Sequence, residues 1–226
     1  SVDQKRRVDI TRNHSATHLL HTSLRNLLGD HVLQKGSLVA DDRLRFDFSH
    51  GEPLTKQQIH EVERLVNSQV LKNEVTGVQV MTLDKAKASG AISLFGEKYK
   101  DVVRVLNVGG DFSYELCGGT HVERAGDIGF FKVVSESGIA SGVRRIEATT
   151  GLNVISLIKA QETVLDNVSK ELNVSASEIG LKVGQLIKQL KDNGKTINQL
   201  KSKIAGSEGN DLVSQAIDTG KYQFLG

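Results

Sequence analysis

The sequence predicts an α+β fold, with an antiparallel sheet and packed helices in the first two thirds, followed by a long α-helical hairpin or coiled-coil arm. Two patterns lead to this prediction. Up to about residue 150, the hydrophobic period changes repeatedly between that of a helix and that of a strand, which is typical of α+β proteins. Beyond Gly151, apolar residues recur at spacings of three and four, which is the pattern of a coiled-coil seam. Charge also divides the chain, because all eleven arginines lie at or before Arg145.

Helix and strand patterns follow one another in the first part. A helix is predicted from about Thr11 to Leu28, because leucines mark one face and Gly29 is a typical helix end. A second helix is predicted after Pro53, where isoleucine and valine recur at helical spacing. Strand-like patterns occur at 44–48, 78–81, 102–108, 128–134 and 142–148. These patterns together predict a sheet with helices packed on it.

The second part is predicted as two helices separated by a restart. Ser175 and Glu178 have the spacing of a capping box, which begins a new helix. A glycine-containing stretch at 206–209 is expected to end that helix. We therefore expect three segments: a domain at 1–151, a helical arm at 152–206, and the truncated start of a C-terminal domain at 207–226. Because the first residue is Ser1 rather than methionine, we expect the chain to be a piece of a longer protein.

Composition limits the class of protein. The 226 residues carry a formal net charge of +2, which is typical neither of a polycation nor of an acidic tail protein. The single cysteine, Cys117, excludes a disulfide within the chain and favours a reducing compartment. No stretch approaches the roughly 18 consecutive apolar residues of a membrane span. We therefore expect a soluble, cytoplasmic protein with no membrane partner.

Two short motifs contain the residues most suited to chemistry. His14 and His18 lie four apart on the predicted first helix, and Cys117 and His121 flank two glycines and a threonine. Residues i and i+4 share a helix face, so the two histidines can offer nitrogen atoms to one point. The second pair can fold around the same point from a turn. Either pair alone is common without a metal, but nitrogen and sulfur ligands together favour zinc, with one ion per chain.

The residues alone leave the kind of metal site open. Four protein ligands usually close a structural site, whereas catalysis requires an open position. Ser15 occupies the position where a metalloprotease helix has its glutamate, and the two pairs lie too far apart for a zinc finger. What remains is a site in a cleft between a helix and a turn. Gly118 and Gly119 in that turn allow close approach of a ligand and expose N–H groups that can hold an oxyanion.

Five stretches of the chain resemble the editing domain of bacterial-type alanyl-tRNA synthetase. They lie at 13–20, 34–37, 94–99, 117–121 and 142–148, in the order of that family. The resemblance covers about residues 3–151, and the helical arm is similar to the start of the family's C-terminal region. The family's aminoacylation motifs are absent from this chain. The resemblance therefore implies no tRNA charging and no ATP binding by these residues.

The resemblance implies a zinc-dependent ester hydrolase that removes wrongly attached serine or glycine from alanine tRNA. A charging pocket shaped for alanine cannot fully exclude glycine and discriminates only modestly against an added hydroxyl, so a second hydrolytic site is required. Thr17 would bond the serine hydroxyl, although a helix threonine often bonds its own backbone instead. Gln34 would orient the substrate or the attacking water, although a bare glutamine is more often a surface residue. The implied zinc ligands are His14, His18, Cys117 and His121, with Cys117 also counted as catalytic and with Gly118 and Gly119 beside the substrate.

Several other polar residues are given roles or left as ordinary residues. Arg144 and Arg145 alternate on a predicted strand, so at most one faces the cleft. Arg144 is assigned to substrate binding, with an ion pair to a residue such as Glu147 as an equal alternative. A basic run could contact the tRNA acceptor stem or simply be solvated; it comprises Lys5, Arg6, Arg7 and Arg12. The histidines without a partner at ligand spacing are interpreted as ordinary residues, namely His21, His31, His50 and His60.

Two other functions are left open by the sequence. One is an RNA-binding and dimerisation module in which zinc is purely structural. The other is a free-standing editing protein that acts on tRNA in trans. The expected partners are the 3′ aminoacyl end and acceptor stem of alanine tRNA, and a second copy of the chain through the helical arm. No DNA partner is expected.

Overall fold

The computed structural model describes residues 2–93 and 99–214 and two short strands beyond them, with side chains as far as residue 205. The chain divides into two compact units, Ser1–Lys159 and Ala160–Gly226. Within the described residues, no helix is both long enough and apolar enough to cross a membrane. The first unit contains antiparallel sheets with packed helices, and a long helix occupies most of the second. The predicted α+β fold class is therefore confirmed.

The first unit combines helices and strands along its whole length. Its helices are α1 (Gln4–Leu28), α2 (Lys56–Lys72), the short α3 (Leu83–Ala88) and the beginning of α4 (Leu152–Leu172). Its strands are β1 (Gln34–Val39), β2 (Leu44–Ser49), β3 (Gly77–Thr82), β4 (Val102–Val108), β5 (Ser113–Leu116), β6 (Phe131–Ala140) and β7 (Val143–Thr150). One sheet has the order β1-β2-β7-β6 and the other β3-β4-β5, and all neighbouring strands are antiparallel.

Helix α1 is the central element, because it contacts α2 and strands of both sheets. Every residue from Ser15 to Leu24 is buried, the polar ones included. Buried polar groups need hydrogen-bond partners, and Asn13 illustrates this by donating to the Ala40 carbonyl and accepting from the Thr150 hydroxyl. A helix surrounded in this way can present polar side chains to one neighbour and leucines to another.

The main core lies between α1, α2 and the four-stranded sheet. The alternation predicted for β2 is observed, and its inward side chains are fully buried. Helix α2 begins with a capping box in which Thr55 and Gln58 bond each other's backbone N–H groups. The core residues from these elements include Leu19, Leu20, Leu24, Phe46, Phe48, Val62, Val66 and Ile146.

Two predicted element boundaries in the first unit are wrong. Helix α1 begins at Gln4 rather than near Thr11, because the Asp3 side chain caps it by accepting from the Arg6 backbone N–H. Its first two turns are exposed, so apolar periodicity could not detect them. The strand predicted from residue 128 begins at Phe131, because Ala125–Ile128 form a 3₁₀ turn. Strands β1 and β5 were absent from the prediction.

The helical part begins inside the first unit. Val154 on α4 is buried, and the Asn153 amide donates to the Asp41 carbonyl. The capping box predicted at Ser175 and Glu178 is present and is followed by α5 (Ile179–Ser214). The predicted helix end at 206–209 is wrong, since a glycine inside a helix costs only about 1 kcal/mol relative to alanine and does not by itself stop it.

Beyond α5, two short strands form an antiparallel pair, β8 (Ile217–Asp218) and β9 (Gln223–Phe224). The division at 1–151, 152–206 and 207–226 stays a prediction. The same holds for the pairing of the helices as a hairpin or coiled coil.

Candidate metal centre

Four side chains from two distant parts of the chain meet at one point. The ligand atoms of His14, His18, Cys117 and His121 all lie within 4.8 Å of one another. The Cys117 Sγ atom is 3.5 Å from Nε2 of His14 and 3.3 Å from Nε2 of His121. In a tetrahedral zinc site with bonds of ~2.0–2.3 Å, neighbouring ligand atoms are about 3.5 Å apart. The separations around Cys117 are therefore those of a metal centre.

The local backbone explains how the two pairs meet. His14 and His18 share one face of α1, one turn apart, and Cys117 directly follows β5. Arg104 of β4 holds the turn after it, because its carbonyl accepts from the Cys117 N–H at 3.1 Å and its guanidinium donates to the Gly119 carbonyl. A Cβ atom at position 119 would lie 2.2 Å from Cε1 of His14. A side chain at position 119 would therefore displace the His14 ring.

The electrostatics of the group favour a cation. Burial raises the pKa of the Cys117 thiol, but hydrogen bonds with His121 and His14 outweigh it and lower the pKa to about 3. The thiolate is the form of cysteine that binds metals. Burial lowers the pKa of His18, but the charge of Glu115 outweighs it and the pKa is raised. The low pKa of Cys117 favours a negatively charged sulfur atom at this point, whereas burial lowers the pKa of His121.

One buried nitrogen also indicates an absent partner. Among the described residues, Nε2 of His18 is buried without a hydrogen-bond partner. Its other ring nitrogen, Nδ1, lies 2.6 Å from a carboxylate oxygen of Glu115. Eight other buried side-chain atoms of the described residues also lack partners, and Nε2 of His18 is the one among them that lies in the ligand group. Imidazole nitrogen and thiolate sulfur are ligand atoms of zinc, and four ligands suit its tetrahedral geometry, so the residues present fit a zinc ion.

Comparison with known proteins shows which proteins the chain is similar to. Residues 103–147 match the family model described as the threonyl and alanyl tRNA synthetase second additional domain. The alanine–tRNA ligase of Delftia acidovorans is 49% identical over 224 residues, which is 99% of this chain. Those of Idiomarina loihiensis and Bordetella pertussis are 52% and 53% identical over 96% and 95% of the chain. The chain is homologous to one segment of the alanine–tRNA ligases.

The predicted family resemblance is thereby confirmed. The chain spans about a quarter of the length of these alanine–tRNA ligases, 25% of the Delftia acidovorans and Idiomarina loihiensis proteins and 24% of the Bordetella pertussis protein. The matched domain contains Cys117 and His121, whereas His14 and His18 lie outside the matched residues. The metal-binding group therefore combines ligands from within and from outside the matched domain.

The other residues that the family resemblance singles out are less directly informative. Thr17 is buried on α1 between the two histidines, and its hydroxyl donates to the Asn13 carbonyl at 2.8 Å, as a back-bonded helix threonine does. Gln34 is half-buried at the start of β1, opposite Phe48. Gly118 is exposed in the turn. The predicted motif at 94–99 lies, apart from Tyr99, outside the described residues. The roles assigned to Thr17, Gln34 and Gly118 stay predictions.

The two neighbouring arginines of β7 are both engaged in bidentate ion pairs. Arg144 donates to both carboxylate oxygens of Glu136 at 2.6 and 2.7 Å, and Arg145 donates to those of Asp47 at 2.7 and 2.9 Å. The ion-pair alternative is therefore observed for both, although neither pair involves Glu147. Substrate binding by Arg144 stays a prediction.

The basic run lies along the exposed start of α1. Lys5 pairs with Asp9, and Arg6 pairs with Asp41, at 3.4 and 3.3 Å. Beyond them, a cleft of about 400 Å³ opens beside His121, and Arg7 and Arg12 line it. Glu123 and Asp127 also line this cleft, so both signs of charge lie beside the metal-binding group.

Two residues of the site were missed by sequence reasoning. Glu115 is buried and accepts from Nδ1 of both His18 and His21, and His21 lies in the core outside the ligand group. Ser15 is buried and lies 3.4 Å from Nδ1 of His121. Glu115 lies two residues before Cys117, but the short strand that carries it, β5, was not predicted, so its position gave no usable signal. Ser15 had none either, because its partner His121 lies 106 residues away along the chain.

Proposed function

We propose that this chain carries the editing site of an alanine–tRNA ligase, a zinc-containing site that hydrolyses the ester of alanine tRNA wrongly charged with serine or glycine. The observation that carries the proposal is the meeting of His14, His18, Cys117 and His121 in a chain about 50% identical to such ligases. The activity belongs to the cytoplasm, where tRNA is charged. Charging itself is not assigned to these residues.

The four ligand residues would hold one zinc ion. The chemistry that zinc supplies when bound is that of a Lewis acid, which attracts the electron-rich atoms of an ester and eases loss of a proton from water. The Cys117 thiolate provides negative charge at the ligand point. Arg104 and Gly119 keep the turn against α1, so that His14 and His121 stay within reach of Cys117.

Thr17 would discriminate serine from alanine by its acceptor capacity. A hydroxyl has one proton and two lone pairs, and the proton of Thr17 is already donated to the Asn13 carbonyl. Towards a substrate, Oγ1 of Thr17 can therefore only accept. The side chain of serine can donate a hydrogen bond, whereas the methyl group of alanine cannot, which is the difference an editing site must detect.

The N–H groups of the glycine turn would bind the carbonyl oxygen of the ester. Within the described part of the chain, the N–H groups of Gly118 and Gly119 have no hydrogen-bond acceptor, and paired N–H donors stabilise the negative charge of a tetrahedral intermediate. Gln34 would orient the aminoacyl group or the attacking water, and Arg144 would contact the substrate through the rest of its guanidinium.

Charge and exposure supply the features that tRNA and a second copy would use. Arg7 would contact phosphates of the acceptor stem at the cleft beside His121, since arginine binds phosphate through paired hydrogen bonds. Arg12 of the same cleft already donates to Asp9 and Asp127, and Glu123 also lines the cleft. Helix α5 has an exposed apolar seam that includes Leu186, Leu190 and Ile197, with Leu190 71% accessible. This seam would support self-association through the arm.

A second candidate function is an RNA-binding module with structural zinc. It is favoured by the four protein ligands, because zinc sites with four protein ligands are usually structural.

The decisive experiment compares alanine tRNA charged with serine and with alanine, each incubated with the zinc-loaded chain. We expect release of serine and little release of alanine. The Cys117→Ala variant should be inactive and should contain less zinc, because one of four ligands is missing. Ester release is measured with radiolabelled amino acids, and zinc by atomic emission.

Equal persistence of both esters with the zinc-loaded chain would contradict the hydrolase and favour the structural-zinc module. The matched control is Ser23→Ala, a substitution of a fully buried residue of α1 outside the ligand group. It should keep both zinc and activity.

A further inference from the structure

The three imidazoles of the metal-binding group each have Nδ1 within reach of an acceptor outside the group. Nε2 of His14 and of His121 faces Cys117, and Nε2 of His18 is buried and has no hydrogen-bond partner among the described residues. Each Nδ1 points outward to a different acceptor, namely the Thr120 carbonyl at 3.3 Å, the Glu115 carboxylate at 2.6 Å and the Ser15 hydroxyl at 3.4 Å. Three different acceptor groups therefore surround the ligands from outside.

The hydrogen bonds of Ser15 determine which nitrogen of His121 is protonated. The hydroxyl donates to the Thr11 carbonyl at 2.9 Å and accepts from the Val122 backbone N–H at 3.0 Å. Its only proton is therefore used, and towards His121 it can only accept. Nδ1 of His121 must then carry the proton, which leaves the lone pair on Nε2.

Glu115 acts in the same way on His18, with a second contact that holds it in place. The side chain is buried, and its two oxygens accept from Nδ1 of His18 at 2.6 Å and from Nδ1 of His21 at 2.9 Å. A carboxylate only accepts, so Nδ1 of His18 carries a proton and Nε2 is the nitrogen available to a cation. His21 lies outside the ligand group and ties Glu115 to the interior of the first unit.

We propose that Glu115 and Ser15 are the positioning residues of the metal centre, which hold His18 and His121 as Nδ1–H tautomers with Nε2 directed at a divalent cation. The inference rests on the proposed zinc site. Glu115 and Ser15 would set the orientation of the ligand rings, because the hydrogen-bond partner of one ring nitrogen determines which nitrogen binds the metal.

The first test needs no substitution. The zinc-loaded chain, labelled with ¹⁵N in its histidines, is examined by long-range ¹H–¹⁵N NMR, which distinguishes a protonated Nδ1 from a protonated Nε2. We expect protonated Nδ1 and metal-bound Nε2 for both His18 and His121. A protonated Nε2 in either residue would overturn the inference for its positioning partner.

The second test measures the zinc dissociation constant of variants by competition with a chromophoric chelator. Glu115→Gln and Ser15→Ala should each weaken zinc binding by roughly 10- to 100-fold, which is the usual effect of removing an outer partner of a ligand. Glu115→Gln keeps the size of the side chain but has a single acceptor oxygen, so it cannot accept from both histidines. Cobalt-loaded samples should show a changed visible spectrum, which a general loss of stability would not produce.

The matched controls are Glu63→Gln and Ser23→Ala. Glu63 accepts from the Lys132 ammonium and the Val133 N–H at 2.8 and 2.9 Å, away from the ligand group, and Ser23 is a fully buried serine of the same helix. Both should bind zinc as the original chain does. If Glu115→Gln and Ser15→Ala bind zinc no more weakly than these controls, the inference about positioning is overturned and the proposed zinc site is not. Failure of the unsubstituted chain to bind zinc would contradict the proposed site itself.

Discussion

The hydroxyl of Thr17 shows how one hydrogen bond restricts what a residue can recognise. Its proton is committed to the Asn13 carbonyl, so only its lone pairs are available to a substrate. Ser15 is restricted in the same manner by the Thr11 carbonyl. Neighbouring residues on one helix thus become pure acceptors, one facing a ligand histidine and one proposed to face the substrate.

Replacing Thr17 by valine should reduce the selectivity of editing. The substitution keeps the shape and removes the acceptor, so kcat/KM for the serine ester should fall by about tenfold, as expected for a hydrogen bond worth ~1.5 kcal/mol. Single-turnover deacylation measures this. Thr22→Val is the matched control, a second buried threonine of α1. If both variants kept the original rate, Thr17 would have no part in recognition.

A side chain should be tolerated at position 118 but not at position 119. A Cβ atom at 119 would lie 2.2 Å from His14, whereas one at 118 meets nothing within 4 Å among the described residues. Gly119→Ala should therefore displace His14 and weaken zinc binding by roughly tenfold or more, at least as much as loss of an outer contact. Chelator competition measures the affinity. Gly118→Ala should bind zinc normally, and equal weakening by both would indicate that general loosening of the turn is responsible.

At the scale of elements, α1, β5 and the turn after β5 carry the residues of the metal-binding group and their outer partners. Helix α1 carries two ligands and both acceptor hydroxyls, and β5 carries Glu115 and leads directly into Cys117. Because α1 is buried between the two sheets, its rotation is determined by leucines on other faces. Ordinary core packing therefore orients the histidines.

The seam of α5 should mediate self-association. Leu186, Leu190 and Ile197 are 37%, 71% and 52% exposed, and burying a leucine stabilises by ~1.5–3 kcal/mol. We expect concentration-dependent dimers in sedimentation equilibrium. Leu190→Glu should weaken association by about tenfold or more.

Gln189→Glu is the matched control for the arm, since it adds the same charge beside the seam rather than on it. It should leave association unchanged. A strict monomer at high concentration would show that the exposed seam has another role.

At the scale of the whole molecule, zinc should stabilise the first unit by joining α1 to the turn after β5. A ligand present at 100 times its dissociation constant stabilises the folded state by about 2.7 kcal/mol. A chelator should therefore lower the melting temperature by about 5–10 °C for a domain of this size. Calorimetry measures the change. The Cys117→Ala variant should show little response, and an equal response would place the metal elsewhere.

Much of this molecule could be predicted because the relevant signals are local. Period changes indicated the α+β class, and the alternation at 44–48 located β2. The cap at Asp3 and the short strands β1 and β5 were missed, because an exposed helix start has no apolar face and four to six residues hold too little pattern. The glycines at 206 and 209 do not end α5, since the cost of a glycine inside a helix is only about 1 kcal/mol.

The sequence by itself determined which residue types were available to the site. One cysteine and three histidines at spacings of four indicated a metal centre, and the motifs around them indicated the family. Only the tertiary structure decided that the two pairs meet, that Gly119 must lie against His14, and that Glu115 and Ser15 orient the ligand rings. The physical reason is that spacing along the chain defines a face of a helix or a turn. Which buried groups share hydrogen bonds depends on the packing of α1 between two sheets.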